Sequence, residues 1–147
     1  MALILIADDD EIVIDVVRSA LEARGHAVGA VDDGAPVMAI LDRKRPNLLI
    51  LDCNMPEMSG VEILRQIRLS PISYATPVLM LTANCGQADE DIARRVGAND
   101  YLRKPFDTDE LVSRVEAMLY TAEHRHHVDP LPTIRLTPPQ HRVWGQR

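Results

Sequence analysis

The sequence predicts an α/β protein in which helices cover both faces of a parallel sheet. Two kinds of segment alternate along the chain: short apolar runs of the kind found in buried strands, and longer segments whose apolar residues recur at helical spacing. Five strands, each followed by a helix, favour a doubly wound parallel sheet with right-handed crossovers. The aromatic content of 3% indicates an aliphatic core, as expected for a sheet enclosed by helices.

The strands are predicted from apolar runs that turn residues enclose. The central one, 48–52, has four apolar residues in a row and ends on Asp52. An unbroken run of this length is typical of a strand that is buried on both faces of a parallel sheet. The other strands are predicted at 3–7, 27–31, 78–82 and about 100–103.

The helices are predicted from their apolar spacing and from the residues at their ends. Asp10 and Glu11 precede the first helix, where negative charge suits the helix dipole, and Gly25 ends it. Pro46 follows the second helix and Gly97 follows the fourth. The apolar positions that define the five helices are Val13, Val17 and Leu21; Val37 and Leu41; Leu64 and Ile67; Ile92 and Val96; and Leu111, Val115 and Leu119.

Polar side chains stand where the predicted strands end. The carboxyl ends of parallel strands share one edge of a sheet, and α/β folds bind ligands at that edge. The residues at these ends are Asp8 and Asp9, Asp52, Thr82 and Lys104. Taken singly, each has an ordinary interpretation: Asp52 as a helix cap, the acidic run as a solvated helix start and Lys104 as a surface lysine. Together they predict a single polar site.

The predicted site suits phosphoryl transfer. At an effective dielectric of about 20, two like charges roughly 4 Å apart cost about 4 kcal/mol, so three adjacent carboxylates call for a cation. Magnesium (Mg2+) fits, because it binds a few carboxylate oxygens and is usually completed by phosphate. Lys104 and Thr82 would then contact phosphoryl oxygens. A carboxylate can itself be the nucleophile, and Asp52, alone at its strand end, is the better candidate.

Four segments in this order make the sequence recognisable. They are Asp8-Asp9, Asp52 with the following 55–60, Leu81-Thr82-Ala83, and 97–106. In this combination the chain resembles the receiver domains of two-component response regulators over residues 2–120. The resemblance implies a flavodoxin-like (βα)5 fold with strand order 2-1-3-4-5.

The resemblance also implies roles for the acidic residues. Asp52 would accept a phosphoryl group from a phosphohistidine on a sensor histidine kinase or a histidine phosphotransfer protein. Asp9 and Asp52 would bind Mg2+ directly, and Asp8 would act largely through bound water. The backbone carbonyl of Asn54 would be a further metal ligand.

Further implied roles belong to the phosphoryl contacts and to a switch. Thr82 and Lys104 would hold the phosphoryl oxygens, and the bond between Lys104 and Pro105 would be cis. On phosphorylation, Thr82 and an inward-turning Tyr101 would reshape the face formed by helix four, strand five and helix five. Packing within the strand is the simpler interpretation of Tyr101. The chain would catalyse its own phosphorylation and dephosphorylation without being a conventional enzyme.

The composition and the segment ends bound the remaining expectations. The receiver domain is predicted at 1–120, and a Pro- and His-rich tail at 121–147 is expected to be disordered or extended, with docking through Trp144 an open possibility. The net charge of −6 would repel nucleic acid and anionic membranes, so protein partners are expected. No basic leader and no membrane-length apolar run is visible, which favours the cytoplasm. A monomer or a phosphorylation-dependent dimer is expected.

Three alternatives stay open at this point. The chain could be a phosphohydrolase with Asp8 as nucleophile, since Asp8-x-Asp10 mimics the paired aspartates of such enzymes. It could be an interaction module that keeps the fold without being phosphorylated. It could also be a fragment of a longer regulator rather than a stand-alone receiver.

Overall fold

The structure is a computed structural model that describes residues 1–83 and 87–124. Strands and helices alternate in the described chain, as the sequence predicts. The strands are β1 (Leu3–Ala7), β2 (Ala27–Val31), β3 (Leu48–Asp52), β4 (Val78–Thr82) and β5 (Asp100–Arg103). The helices are α1 (Glu11–Glu22), α2 (Val37–Lys44), α3 (Gly60–Leu69), α4 (Gln87–Val96) and α5 (Thr108–His124).

The five strands form one parallel sheet in the order β2-β1-β3-β4-β5, which confirms the predicted fold class and strand order. The register pairs Ala7 with Leu51, so the residues that follow them, Asp8 and Asp52, leave the sheet side by side. The strand order places β3 at the centre of the sheet with β1 beside it, and their carboxyl ends lie in the middle of the ligand edge.

Each face of the sheet packs into its own aliphatic core. Alternate strand residues belong to different cores, because successive side chains on a strand point to opposite faces. One core lies with α1 and α5 and takes alternate residues of the strands. The other lies with α2, α3 and α4 and takes the intervening ones. Strand residues of the first core are Ile4, Ile6, Leu48, Ile50, Leu79, Leu81 and Leu102. Strand residues of the second are Leu5, Ala7, Leu49, Leu51, Val78, Met80 and Tyr101.

The last helix is longer than the sequence predicts. An extended or disordered tail is expected from residue 121, whereas residues 121–124 form the last turn of α5. Contacts between residues four apart stabilise this turn: the hydroxyl of Thr121 donates to the carbonyl of Ala117 at 2.9 Å, and the ring of His124 stacks on Tyr120 with centroids 3.8 Å apart. The rest of the predicted tail, 125–147, lies outside the described residues. None of the described helices is long and apolar enough to span a membrane.

Candidate functional site

Strand parity explains why three charged side chains meet. Asp8, Asp52 and Lys104 each stand two positions after a strand residue of the core that lies with α1 and α5. These preceding residues are Ile6, Ile50 and Leu102. Because parity repeats every two residues, the three charged side chains leave the sheet toward the same side. The sequence therefore brings together groups that are far apart along the chain, and the structure confirms the predicted meeting of strand ends.

Lys104 lies between the two buried aspartates. Its Nζ is 2.7 Å from Oδ2 of Asp8 and 3.6 Å from Oδ2 of Asp52. Asp8 is fully buried and Asp52 is 3% exposed, so both carboxylates are largely withdrawn from water. The shorter contact has the length of a hydrogen bond without its geometry, and we describe it as an ion pair. The sequence predicts Lys104 only as a phosphoryl contact; its closer pairing with Asp8 depends on side-chain distances that spacing does not reveal.

Backbone amides orient both carboxylates. The N–H of Asp10 donates to Oδ1 of Asp8 at 2.9 Å, and the N–H of Asn54 donates to Oδ1 of Asp52 at 3.2 Å. In each case the other oxygen is the one that faces Lys104. Asp10 itself caps α1 by accepting from the N–H of Ile12 at 2.9 Å, as expected for a charge at a helix start. Within the acidic run, Asp8 thus faces the site and Asp10 caps the helix.

Burial and neighbouring charges shift the pKa of Asp52 and that of Lys104. Burial raises the pKa of Asp52 from 3.8 to about 6; the N–H of Asn54 and the charge of Lys104 oppose this shift, while Asp8 and Asp9 add to it. Burial alone would lower the pKa of Lys104, but its contact with Asp8 and the charges of Asp52 and Asp8 outweigh burial and raise it. Lys104 therefore stays protonated. The carboxylate cluster would be stabilised by a further positive charge.

The carboxylate cluster fits the predicted magnesium site. Asp8, Asp9 and Asp52 each offer an oxygen, and these atoms lie within 4.8 Å of one another. The buried Oδ2 of Asp8 accepts no hydrogen bond from the described residues. Three carboxylates and the ammonium of Lys104 sum to a formal charge of −2, which a divalent cation balances. Asp9 is exposed and gives the cluster access to solvent. Hard oxygen donors of this kind are the ones Mg2+ prefers.

Gly60 allows α3 to begin close to the end of β3. The N–H of Gly60 donates to the carbonyl of Cys53 at 2.9 Å. A Cβ at this position would overlap the backbone carbonyl oxygen of Asp52 and lie 2.9 Å from Cα of Cys53. Backbone atoms cannot move aside as a flexible side chain can, so this approach requires glycine. Gly60 belongs to the segment 55–60 of the family resemblance, but only the loop path reveals which backbone atoms lie next to it.

We expect Gly60→Ala to lower the free energy of unfolding by about 1–3 kcal/mol, the usual cost of overpacking, and to displace Asp52. Gly29→Ala is the matched control, because a Cβ on Gly29 of β2 would meet only Cδ1 of Leu5 at 3.9 Å. The control should stay within about 0.5 kcal/mol of wild type. Urea unfolding of both variants measures the difference, and equal losses would contradict the proposed steric cause.

Thr82 and Tyr101 occupy the other side of the sheet. Tyr101 is 5% exposed and belongs to the core that lies with α2, α3 and α4. Thr82 is fully buried and has the same parity as Met80 of that core, while its carbonyl accepts from the N–H of Lys104 at 2.7 Å. The bond from Lys104 to Pro105 is cis, as the resemblance implies. Thr82 therefore links the edge that carries Lys104 to the core that contains Tyr101.

Comparisons with known proteins agree with this architecture. The family described as "Response regulator receiver domain" matches residues 4–116. The alkaline phosphatase synthesis transcriptional regulatory protein PhoP of Bacillus subtilis (strain 168) is 33% identical over 120 residues, which are 82% of this chain and 49% of the relative. The phosphate regulon transcriptional regulatory protein PhoB of Rhizobium meliloti (strain 1021) is 38% identical over 120 residues, 82% of this chain and 53% of the relative.

A solved structure shows the same fold along most of the described chain. The chemotaxis response regulator CheY4 of Vibrio cholerae superposes with a TM-score of 0.75 at 30% identity, covering 80% of this chain and 98% of that one. The chain spans about half the length of the curated relatives named above. The family match covers most of the chain and agrees with the strand order. The chain therefore belongs to the response regulator receiver domain family.

Proposed function

We propose that the chain is a phosphorylation-dependent switch whose Asp52 accepts a phosphoryl group from a phosphohistidine. The donor would be a sensor histidine kinase or a histidine phosphotransfer protein. The observation that carries the proposal is the position of Asp52: its carboxylate ends a central strand, lies 3.6 Å from the ammonium of Lys104, and shares a cluster with Asp8 and Asp9. A nucleophile, a fixed cation and metal ligands thus lie together.

In the proposed step, a carboxylate oxygen of Asp52 attacks the phosphorus of phosphohistidine. A P–O bond forms as the P–N bond breaks, the electron pair stays on the imidazole nitrogen, and that nitrogen takes a proton from solvent. The product is an acyl phosphate, from which attack by water would release inorganic phosphate and restore the carboxylate. Lys104 and the hydroxyl of Thr82 would contact the phosphoryl oxygens, and the N–H of Asn54 would orient the attacking carboxylate.

Asp8, Asp9, Asp52 and the backbone carbonyl of Asn54 would hold Mg2+. When bound, the ion supplies charge neutralisation on the phosphoryl oxygens. The −2 formal charge of the cluster supports this assignment, since an incoming phosphoryl group adds negative charge to a site that already carries an excess.

We further propose that phosphorylation is read through Thr82 and Tyr101. A new dianion on Asp52 would attract the hydroxyl of Thr82, and Tyr101 would adjust with it because both share one face of the sheet. The affected surface would comprise α4, β5 and α5. A downstream protein would recognise this surface.

The proposed function belongs to the receiver domain, which is predicted at 1–120. PhoP and PhoB are transcriptional regulatory proteins by name, and the matched segment is only about half of each. For this chain we propose cytoplasmic signalling by protein contact, without direct binding of nucleic acid or membrane, as a monomer or a phosphorylation-dependent dimer. The net charge of −6 supports the absence of nucleic-acid contact.

The decisive experiment is labelling with a small phosphodonor in the presence of Mg2+, followed by borohydride trapping and peptide mapping of the modified aspartate. We expect the label on Asp52 and a loss of labelling on chelation. Label on Asp8 with none on Asp52 would instead establish the phosphohydrolase alternative. A folded chain that neither binds Mg2+ nor takes up label would be an interaction module that keeps only the fold.

A further inference from the structure

The end of α3 and its connection to β4 expose three large hydrophobic side chains within six residues. Leu69 is 78% exposed, Ile72 is 51% exposed and Tyr74 is 60% exposed. This connection precedes β4 and so lies at the amino ends of the strands, whereas Asp52 ends β3 at the opposite edge. A five-residue strand separates the two edges by about 16 Å. The exposed side chains thus have no part in the site described above.

The loop that carries these side chains is held firmly. Ser73 is 3% exposed, and its hydroxyl donates to Oδ1 of Asp42 on α2 at 2.7 Å. Arg68 donates from Nη1 to the carbonyls of Tyr74 and Thr76 at 3.0 and 2.7 Å. Ile72 and Tyr74 flank the inward-facing Ser73 and remain in water while their backbone is fixed. A preordered loop loses little conformational entropy when a partner covers it.

Four exposed cations lie on α3 and at the end of α2, the two helices next to this loop. Arg43 and Lys44 end α2 next to Asp42, which bonds the loop; Arg45 follows them; and Arg65 precedes Leu69 by one helical turn. Within residues 1–83 and 87–124, none of the four has a carboxylate within 4 Å. In contrast, the described cations that do have such a partner include Arg18, Arg24, Arg94, Arg103, Lys104 and Arg114. Together with Leu69, Ile72 and Tyr74, these four cations form what we call the basic-apolar patch.

The helix dipole accounts for only part of this arrangement. Arg43 and Lys44 suit the negative end of α2. Arg45, however, has φ 47°, a left-handed conformation in which glycine is favoured at a helix end. A cation stands where the backbone alone would favour glycine, and three exposed apolar side chains lie nearby. Helix capping explains neither feature.

We propose that the basic-apolar patch docks an acidic segment of a partner protein that carries apolar side chains. Unpaired cations select negative charge, and the rigid apolar side chains provide the contact area. The chain's own residues 125–147 are a poor occupant, because four arginines against one aspartate give them a formal charge of +3. The overall charge of −6 leaves −9 on residues 1–124, so an anionic membrane would repel the body that carries the patch. A short acidic segment of a partner protein, unlike a membrane, would contact the patch without facing the rest of the acidic surface.

The test selects a random peptide library displayed on phage against the full 147-residue chain. We expect enriched peptides to be acidic with apolar side chains. Synthetic copies should shift amide resonances of 43–45 and 65–74 and bind more weakly as salt is raised. Ile72→Ser and Tyr74→Ser should weaken binding by about tenfold or more. Ile12→Ser is the matched control, since Ile12 is 74% exposed on α1, and it should bind as wild type does.

Arg45→Gly separates binding from folding. Glycine relieves the left-handed backbone, so the urea midpoint should hold or rise while affinity for the enriched peptides falls. Enriched peptides that are neutral or basic, or that bind the Tyr74→Ser variant as tightly as wild type, would overturn the proposal, as would no enrichment. Competition by a synthetic 125–147 peptide would instead assign the patch to the tail. Patch resonances that move on dilution would assign it to a second copy of the chain. Binding to phosphatidylglycerol vesicles that Tyr74→Ser abolishes would assign it to a membrane.

Discussion

Asp52→Asn is expected to abolish phosphoryl labelling and at the same time to stabilise the metal-free fold. Asparagine keeps the size of the side chain and an oxygen for the N–H of Asn54, but it removes the proposed nucleophile and one negative charge beside Asp8 and Asp9. The pKa of Asp52 is raised from 3.8 to about 6, and a displacement of this size would correspond to about 3 kcal/mol for a fully buried group. The substitution also removes an attraction to Lys104, and the exposed Asp9 gives the cluster access to solvent. We therefore expect the free energy of unfolding to rise by only about 1–2 kcal/mol.

The sign of the pH dependence follows from the same shift. A carboxyl group whose pKa is higher in the folded state binds more protons there than in the unfolded chain between pH 3.8 and about 6. In that window Asp52 makes the wild type more stable as the pH falls. The Asp52→Asn variant lacks this contribution, so its advantage should shrink between about pH 7 and pH 4.

Urea unfolding in the presence of a chelator, with parallel phosphodonor labelling, measures both effects. Asp15→Asn is the control, because Asp15 is exposed on α1; it should retain labelling and stay within about 0.5 kcal/mol of wild type. Undiminished labelling of the Asp52→Asn variant would refute the proposed phosphoacceptor. A variant that loses label but is less stable than wild type at pH 7 would refute the destabilisation of the charged Asp52 by its burial and by the neighbouring Asp8 and Asp9.

The parts of this molecule that depend on periodicity could be predicted from its sequence. Apolar runs such as 48–52 define the strands, and the change to helical spacing defines the helices. Strand parity then places Asp8, Asp52 and Lys104 on one side of one edge without any knowledge of distances. The candidate site could be predicted for the same reason: parallel strands bring their carboxyl ends together.

The parts that depend on loop paths and on side-chain reach could not be predicted. Lys104 lies closer to Asp8 than to Asp52, and Gly60 touches the backbone of Asp52; both facts require coordinates. The basic-apolar patch could not be predicted from the sequence, because its cations come from two separate segments of an acidic chain, 43–45 and 65. The helical turn at 121–124 depends on local pairs such as Tyr120 and His124, which a polar composition conceals.

Lys104→Ala should destabilise the metal-free fold by about 3–5 kcal/mol, the usual cost of leaving buried charges without their partner. Asp8 is fully buried and loses the cation at 2.7 Å, and Asp52 loses the one at 3.6 Å. The neighbouring Arg103→Ala is the matched control, since Arg103 is 59% exposed and lies 3.6 Å from Glu90. Exposed pairs contribute little, so the control should lose no more than about 1 kcal/mol.

A double-mutant cycle with Asp8→Asn identifies the cause of the loss. If Lys104 stabilises the fold chiefly by neutralising Asp8, removing that charge first should reduce the cost of Lys104→Ala by at least about 1 kcal/mol, because interacting pairs are not additive. Mg2+ should also restore part of the stability of the Lys104→Ala variant, since the carboxylates then regain a cation. Additive losses that Mg2+ does not reduce would mean that Lys104 acts by packing its alkyl chain. Non-additive losses that Mg2+ reduces would mean that Lys104 and a divalent cation stabilise the acidic cluster in the same way, by neutralising its negative charge.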